Sequence, residues 1–168
     1  MITASIQRDL RFDSFFEKNI LSIFFASSSN NFMYTTETQI RVRYSETDRM
    51  SYVYYGNYAQ YFEVARVESL RSLGVSYREM EDDGVLLPVL DFSVKFFKPA
   101  FYDEMLTIKT SITELPKARI IFDYETYNEQ GVLLNKASTT LVFVNKSNGR
   151  PTAAPAAILE KLKDYFSA

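Results

Sequence analysis

The stretch of this chain richest in usable chemistry is Arg43–Arg66, RYSETDRMSYVYYGNYAQYFEVAR. Asp48 stands seven positions ahead of Tyr55, where a polar turn gives way to helical periodicity. A helix start leaves its first N–H groups unpaired and adds the positive end of the helix dipole. An acyl carbonyl resting there would have its developing oxyanion stabilised by roughly 3 kcal/mol per donor in the transition state. A carboxylate on the preceding loop, of a type already ionised at neutral pH, would then attack the carbonyl or activate a water. Spacing alone leaves another use open. Asp is common in turns and at helix starts, and that is the more frequent role of a loop carboxylate. Glu46, two residues earlier, is a rival with the same ambiguity.

Composition narrows the chemistry by subtraction. The 168 residues include no His and no Cys. That removes Ser-His-Asp and Cys-His nucleophiles, disulfides and most zinc sites, and leaves carboxylates, Tyr, Lys and backbone groups for acid–base work. A formal net charge of −2 argues against a nucleic-acid binder. With 46% hydrophobic and 24% charged residues the chain is an ordinary globular one, long enough for one continuous core. Residues 1–33 stand apart. Their short apolar run is broken by Asp13 and Glu17, too acidic for a secretory leader and too short to span a bilayer. They are expected to form a disordered or weakly helical extension, with Met33 as an alternative start. Residues 34–168 then make one domain, expected in the cytoplasm.

The elements around the motif must hold it. Thr38–Tyr44 predicts a strand, with Ile40, Val42 and Tyr44 alternating against Arg41 and Arg43. From Asn57 to Leu73 the period is helical: Tyr58, Tyr61, Phe62, Ala65, Ser69 and Leu73 form one stripe, and Gly74 supplies the stop. Val64, Val67 and Leu70 lie off that stripe, so the helix is expected to be wrapped by protein on several sides. Four strand runs follow. Their apolar faces are Leu90-Phe92-Val94-Phe96, Leu106-Ile108-Thr110-Ile112, Ile120-Phe122-Tyr124-Thr126 and Ala137-Thr139-Leu141-Phe143. Short links at 115–118 and 128–131 suit antiparallel hairpins, and Asn145–Arg150 reads as a plain turn. A closing helix from Pro155 to Phe166 carries Ile158, Leu162 and Tyr165 on one side. The order predicts an α+β fold: an antiparallel five-stranded sheet wrapped around one long central helix.

Tyr44, Glu46-Thr47-Asp48 and Val53-Tyr54-Tyr55-Gly56-Asn57-Tyr58 together resemble the signature of the hotdog-fold acyl-CoA thioesterases, in particular the 4-hydroxybenzoyl-CoA thioesterase and YbgC-like group. The Phe96-Phe97-Lys98-Pro99-Ala100 bend and the strand end at 139–144 extend the likeness over about residues 36–166. The resemblance implies a hotdog fold that hydrolyses an acyl-CoA thioester to a free acid and coenzyme A. It implies Asp48 as nucleophile or general base, the Tyr55 N–H as oxyanion donor and Tyr44 in a supporting role. Two positions depart from the pattern: the family's usual Gly is Ser51 and a small aliphatic is Tyr52, both bearing on pocket width and loop stiffness. Tyr55 stands where many YbgC-like members carry His, so a His-assisted mechanism is ruled out.

Tyr52, Tyr54 and Tyr58 are expected to line the acyl or aryl pocket, although aromatic residues at helical spacing more often belong to a core. Lys95, Lys98, Lys117, Arg119 and Arg150 are available for the phosphates of coenzyme A, yet none is singled out, since such residues are usually solvated. Coenzyme A enters as part of the substrate; no cofactor, metal, nucleic acid or membrane partner is expected. Hotdog sheets pair at their edges, which implies a homodimer or homotetramer. The alternative on the same scaffold is a non-catalytic acyl-ligand binding protein. A hydratase ranks lower, because its site would want a His.

Overall fold

The computed structural model describes residues 33–167, so the expected N-terminal extension, up to residue 32, lies outside the described residues. The chain opens with strand β1, Tyr34–Arg41, followed by a 3-10 turn at Tyr44–Glu46. A second 3-10 turn, Tyr55–Asn57, leads into helix α1, Tyr58–Ser72, and then the short α2, Tyr77–Asp82. Strands β2, Val85–Leu86, β3, Val89–Phe96, β4, Met105–Ile112, β5, Arg119–Tyr127, β6, Leu133–Val142, and β7, Val144–Asn145, come next, and helix α3, Ala156–Phe166, closes the chain. The main sheet is antiparallel in the order β1-β4-β5-β6-β3, and β2 pairs with β7.

Alternation puts one face of the central strands inside. Leu106, Ile108, Thr110 and Ile112 of β4, Ile120, Phe122, Tyr124 and Thr126 of β5, and Ala137, Thr139 and Leu141 of β6 are all buried, as their period of two predicts. Phe143, just past β6, is buried with them. Against this face lies α1, whose stripe Tyr58, Tyr61, Phe62, Ala65, Ser69 and Leu73 is buried throughout. Phe62 stacks on Tyr124 with ring centroids 4.6 Å apart. The mixed α+β architecture of a five-stranded antiparallel sheet with one long helix is therefore the one the sequence predicts.

The structure departs from the sequence pattern in local details. β1 begins four residues before Thr38 and ends at Arg41, not at Tyr44. The Glu46 carboxylate accepts the Arg43 N–H (2.7 Å), which turns the chain, and Val42 bonds instead to the loop ahead of β4, through the Glu104 carbonyl and the Asp103 N–H. On α1, Leu70 is fully buried while Val64 is exposed, so the helix is not enclosed all round. Tyr165 does not join Ile158 and Leu162 in the core; it is half-exposed, its ring edge-on to Tyr34 at 4.9 Å.

The largest departure is β3. Leu90 is 55% exposed and Phe92 41%, because among the described residues this strand ends the sheet with no neighbour on its outer side. A register shift between Val89 and Asp91 leaves Leu90 unpaired with β6. The inner rims of Phe92 and Phe96 still touch α1, at Phe62 (5.9 Å) and Tyr58 (5.1 Å).

Candidate active site

The loop after β1 is folded by its own backbone. The Asp48 N–H donates to the Tyr52 carbonyl and the Ser51 N–H to the Asp48 carbonyl, each at 2.9 Å, so residues 48–52 close a tight turn. Ser51 takes φ +64°, the left-handed region. The Asp48 Oδ1 accepts the Met50 N–H at 2.7 Å, a side-chain-to-backbone bond typical of Asp in turns. Among the described residues its Oδ2 accepts no hydrogen bond, and the side chain is part exposed. One oxygen thus holds the loop and the other is left open.

On the far side of the turn the chain is fastened to the bend after β3. Val53 donates to the Ala100 carbonyl at 2.9 Å, and Tyr52 bridges to Phe101. The 3-10 turn Tyr55–Asn57 follows at once. By construction its first N–H groups have no partner within the turn. Among the described residues neither the Tyr55 nor the Gly56 N–H donates to a backbone carbonyl. Gly56 allows a close approach here: a Cβ at that position would meet the Tyr54 ring at 2.6 Å, so the ring would have to shift. Tyr54 in turn leans on Tyr55, ring centroids 4.6 Å apart.

These groups meet in one cleft of about 580 Å³. Asp48, Tyr52, Tyr54, Tyr55 and Tyr58 form one wall. Phe96, Phe97, Lys98 and Pro99 form the other. The expected residues Asp48, Tyr52, Tyr54, Tyr55 and Tyr58 are brought together, whereas Tyr44 is placed elsewhere. It is 79% exposed, packs edge-on against Tyr102 at 5.6 Å, and does not line this cleft. Phe96, Phe97 and Pro99 in the second wall were missed as part of a site. Their signal was the Phe-Phe-Lys-Pro bend itself, where a proline ends a strand beside an exposed aromatic pair. Of the basic residues considered for phosphate contact, Lys98 lines the cleft, while Lys117 and Arg119 line a separate one at the β4–β5 hairpin.

Electrostatics separate the two carboxylates. The Glu46 side chain is only 13% exposed and its Oε2 accepts the Tyr61 hydroxyl at 2.7 Å as well as the Arg43 N–H. Both bonds tie it to structure, and it lies outside the Asp48 cleft. The Tyr61 phenol is pushed far up by burial and then by the Glu46 carboxylate. Tyr58 is pushed up to about 12, first by burial and then by the charge of Glu104. At neutral pH both phenols are therefore neutral, able to donate a proton in a hydrogen bond but not to act as bases. The cleft is lined by one carboxylate residue, by Tyr55 at the start of a 3-10 turn and by flat aromatic side chains, a set suited to acyl transfer to water.

Residues 42–162 match the model of the thioesterase-like superfamily, and the chain belongs to that family. A putative acyl-CoA thioesterase, YneP of Bacillus subtilis, is 36% identical over 119 residues, 71% of this chain and 86% of that protein. The Escherichia coli acyl-CoA thioester hydrolase YbgC is 32% identical over 74% of this chain and 92% of its own length. Among solved structures, a DHNA-CoA thioesterase from Staphylococcus aureus superposes with a TM-score of 0.69 at 39% identity, covering 71% of this chain and 80% of that one. Its relatives are thus enzymes named for cleaving thioesters of coenzyme A, on the hotdog fold that the motif implied.

Proposed function

We propose that this chain is an acyl-CoA thioesterase, that residues 34–168 are its catalytic domain, and that Asp48 carries the reaction. The observation that supports this most is that Asp48, one of whose carboxylate oxygens accepts no hydrogen bond among the described residues, and Tyr55, whose N–H donates to no backbone carbonyl there, line the same aromatic-walled cleft. In the nucleophilic form, an Asp48 oxygen attacks the thioester carbonyl, the carbonyl electrons move onto the oxygen facing the Tyr55 N–H, and collapse expels the thiolate of coenzyme A. Water then cleaves the mixed anhydride. In the general-base form, Asp48 takes a proton from a water that attacks the same carbonyl directly. Both forms use the same oxyanion donor, and neither needs an imidazole.

Tyr52, Tyr54 and Tyr58 form the acyl pocket in this reading. Tyr44, exposed and outside the cleft of one protomer, keeps a supporting role in this reading. The open β3 edge, with Leu90, Phe92 and Phe96 exposed, supports pairing of a second copy into a homodimer or a larger even assembly. Among the described residues no helix is long and apolar enough to cross a membrane. An acyl-CoA substrate fits work in the cytoplasm.

The test is thiol release from a panel of acyl- and aroyl-CoAs. The wild type is expected to turn over at least one of them, and Asp48→Asn to lose about 10²–10⁴ in kcat while staying folded. Full turnover in that variant would refute the assignment. Tight binding without hydrolysis by the wild type would favour an acyl-ligand binding protein instead.

A further inference from the structure

The turn that presents the two free N–H groups hangs from a single carbonyl. Tyr54 and Asn57 flank Tyr55 and Gly56 on either side. The Tyr54 N–H donates to the Glu46 carbonyl at 2.9 Å, and the Asn57 Nδ2 donates to the same oxygen at 2.7 Å. The turn is closed on itself by the Asn57 N–H, which reaches the Tyr54 carbonyl at 3.0 Å. Glu46 is in turn pinned by its own side chain. Its Oε2 accepts the Tyr61 hydroxyl from the first turn of α1 and the Arg43 N–H from the end of the β1 segment, each at 2.7 Å. One residue therefore takes four hydrogen bonds, two on its carboxylate and two on its carbonyl. Asp48 lies two residues further on, so the reactive carboxylate and the donor turn are fixed to a common point.

We propose that Glu46 is the positioning residue of this site, holding the Asp48 loop in register with the Tyr55–Gly56 N–H groups through Tyr61 and Asn57. The inference rests on the reading of Asp48 and Tyr55 given above and adds what keeps them aligned. Glu46 touches no substrate. Its work is geometric: displacing reacting groups by about 1 Å can cost on the order of 10²-fold in rate.

Asn57→Ala and Tyr61→Phe each delete one donor to Glu46 and leave the loop sequence intact. Each is expected to lower kcat at least about tenfold while KM stays within about twofold of wild type, since the interaction lost is one of alignment rather than binding. Glu46→Gln, which retains an acceptor oxygen, should recover a large part of the activity that Glu46→Ala loses. Urea midpoints measured on the same preparations give the folded fraction. The proposal is overturned if kcat of both donor variants stays within about threefold of wild type, if the loss sits in KM, or if it merely follows the folded fraction. Full turnover by Asp48→Asn is a different result. It would remove the reading on which this one rests.

Discussion

At Ser51 the backbone sits at φ +64°, where an L residue with a Cβ is strained and glycine is not. The position is a bend inside the Asp48–Tyr52 turn, which explains why a glycine is the residue the motif ordinarily wants there. Replacing Ser51 by Gly should relieve about 1–2 kcal/mol of strain, partly offset by about 0.5–1 kcal/mol from the freer unfolded chain. Ser51→Gly is therefore expected to raise the urea midpoint slightly with an unchanged slope, and a lowered midpoint would contradict the strain argument. The placing of Asp48 in a turn ahead of a helix start was legible because it is local. That of Tyr44 was not. Its place depends on where β1 stops, and that is decided by the Glu46 side chain folding back on Arg43 and by the Glu104 carbonyl far along the chain. No periodicity records such a capture.

Among the elements, β4, β5 and β6 could be read directly, since a strand buried on one face writes its period of two into the residues. The alternation of β3 was equally plain, yet its burial was misjudged. Leu90 and Phe92 look like core residues, and only the strand order reveals that their strand is the last in the sheet. The pair β2 and β7 spans two residues each, too short for any pattern to show. The second wall of the cleft was hidden for a related reason: Phe96–Pro99 reaches Asp48 through tertiary packing alone. On the polar side of the sheet, Glu125 and Lys136 are cross-strand partners with Oε1 and Nζ 2.6 Å apart. The Lys136 ammonium, and after it the Tyr127 hydroxyl, hold the Glu125 carboxyl below its ordinary range. The unfolded chain binds that proton more readily, so the contribution is present above the ordinary Glu range and is lost as the pH falls through the folded value. Both side chains are part exposed, which limits the pair to about 0.5 kcal/mol. The stability difference between wild type and Glu125→Gln should accordingly shrink towards zero on acidification. A difference that held constant from neutral to acid pH would dismiss the pairing.

For the whole molecule the buried phenols set an upper limit in pH. Burial, followed by the charge of Glu104, pushes Tyr58 up to about 12; burial likewise pushes Tyr124 up to about 12. The folded chain keeps these protons more tightly than the unfolded one, whose ordinary value is 10.0. The stability they lend is whole below that value and is lost as the pH climbs towards the folded one. Tyrosinate absorbance should rise in two stages. Exposed rings ionise first with the fold intact, and the buried set, Tyr58 and Tyr124 among it, ionises in one cooperative step together with loss of the far-ultraviolet dichroism. Ionisation of every tyrosine before any loss of dichroism would contradict this.

The placing of Phe96 at the end of the edge strand also has a thermodynamic consequence. In the proposed dimer the strand that meets a second copy ends in a wall of the cleft, so whatever settles that edge settles the cleft as well. Occupancy and self-association would then be two readings of one equilibrium, and each must strengthen the other by the same factor. Diluted until copies separate, the protein should lose affinity for coenzyme A thioesters, and saturating a hydrolysis-deficient variant with such a thioester should shift its sedimentation back towards the larger species. A dilution series in which affinity and mass vary independently would uncouple the two.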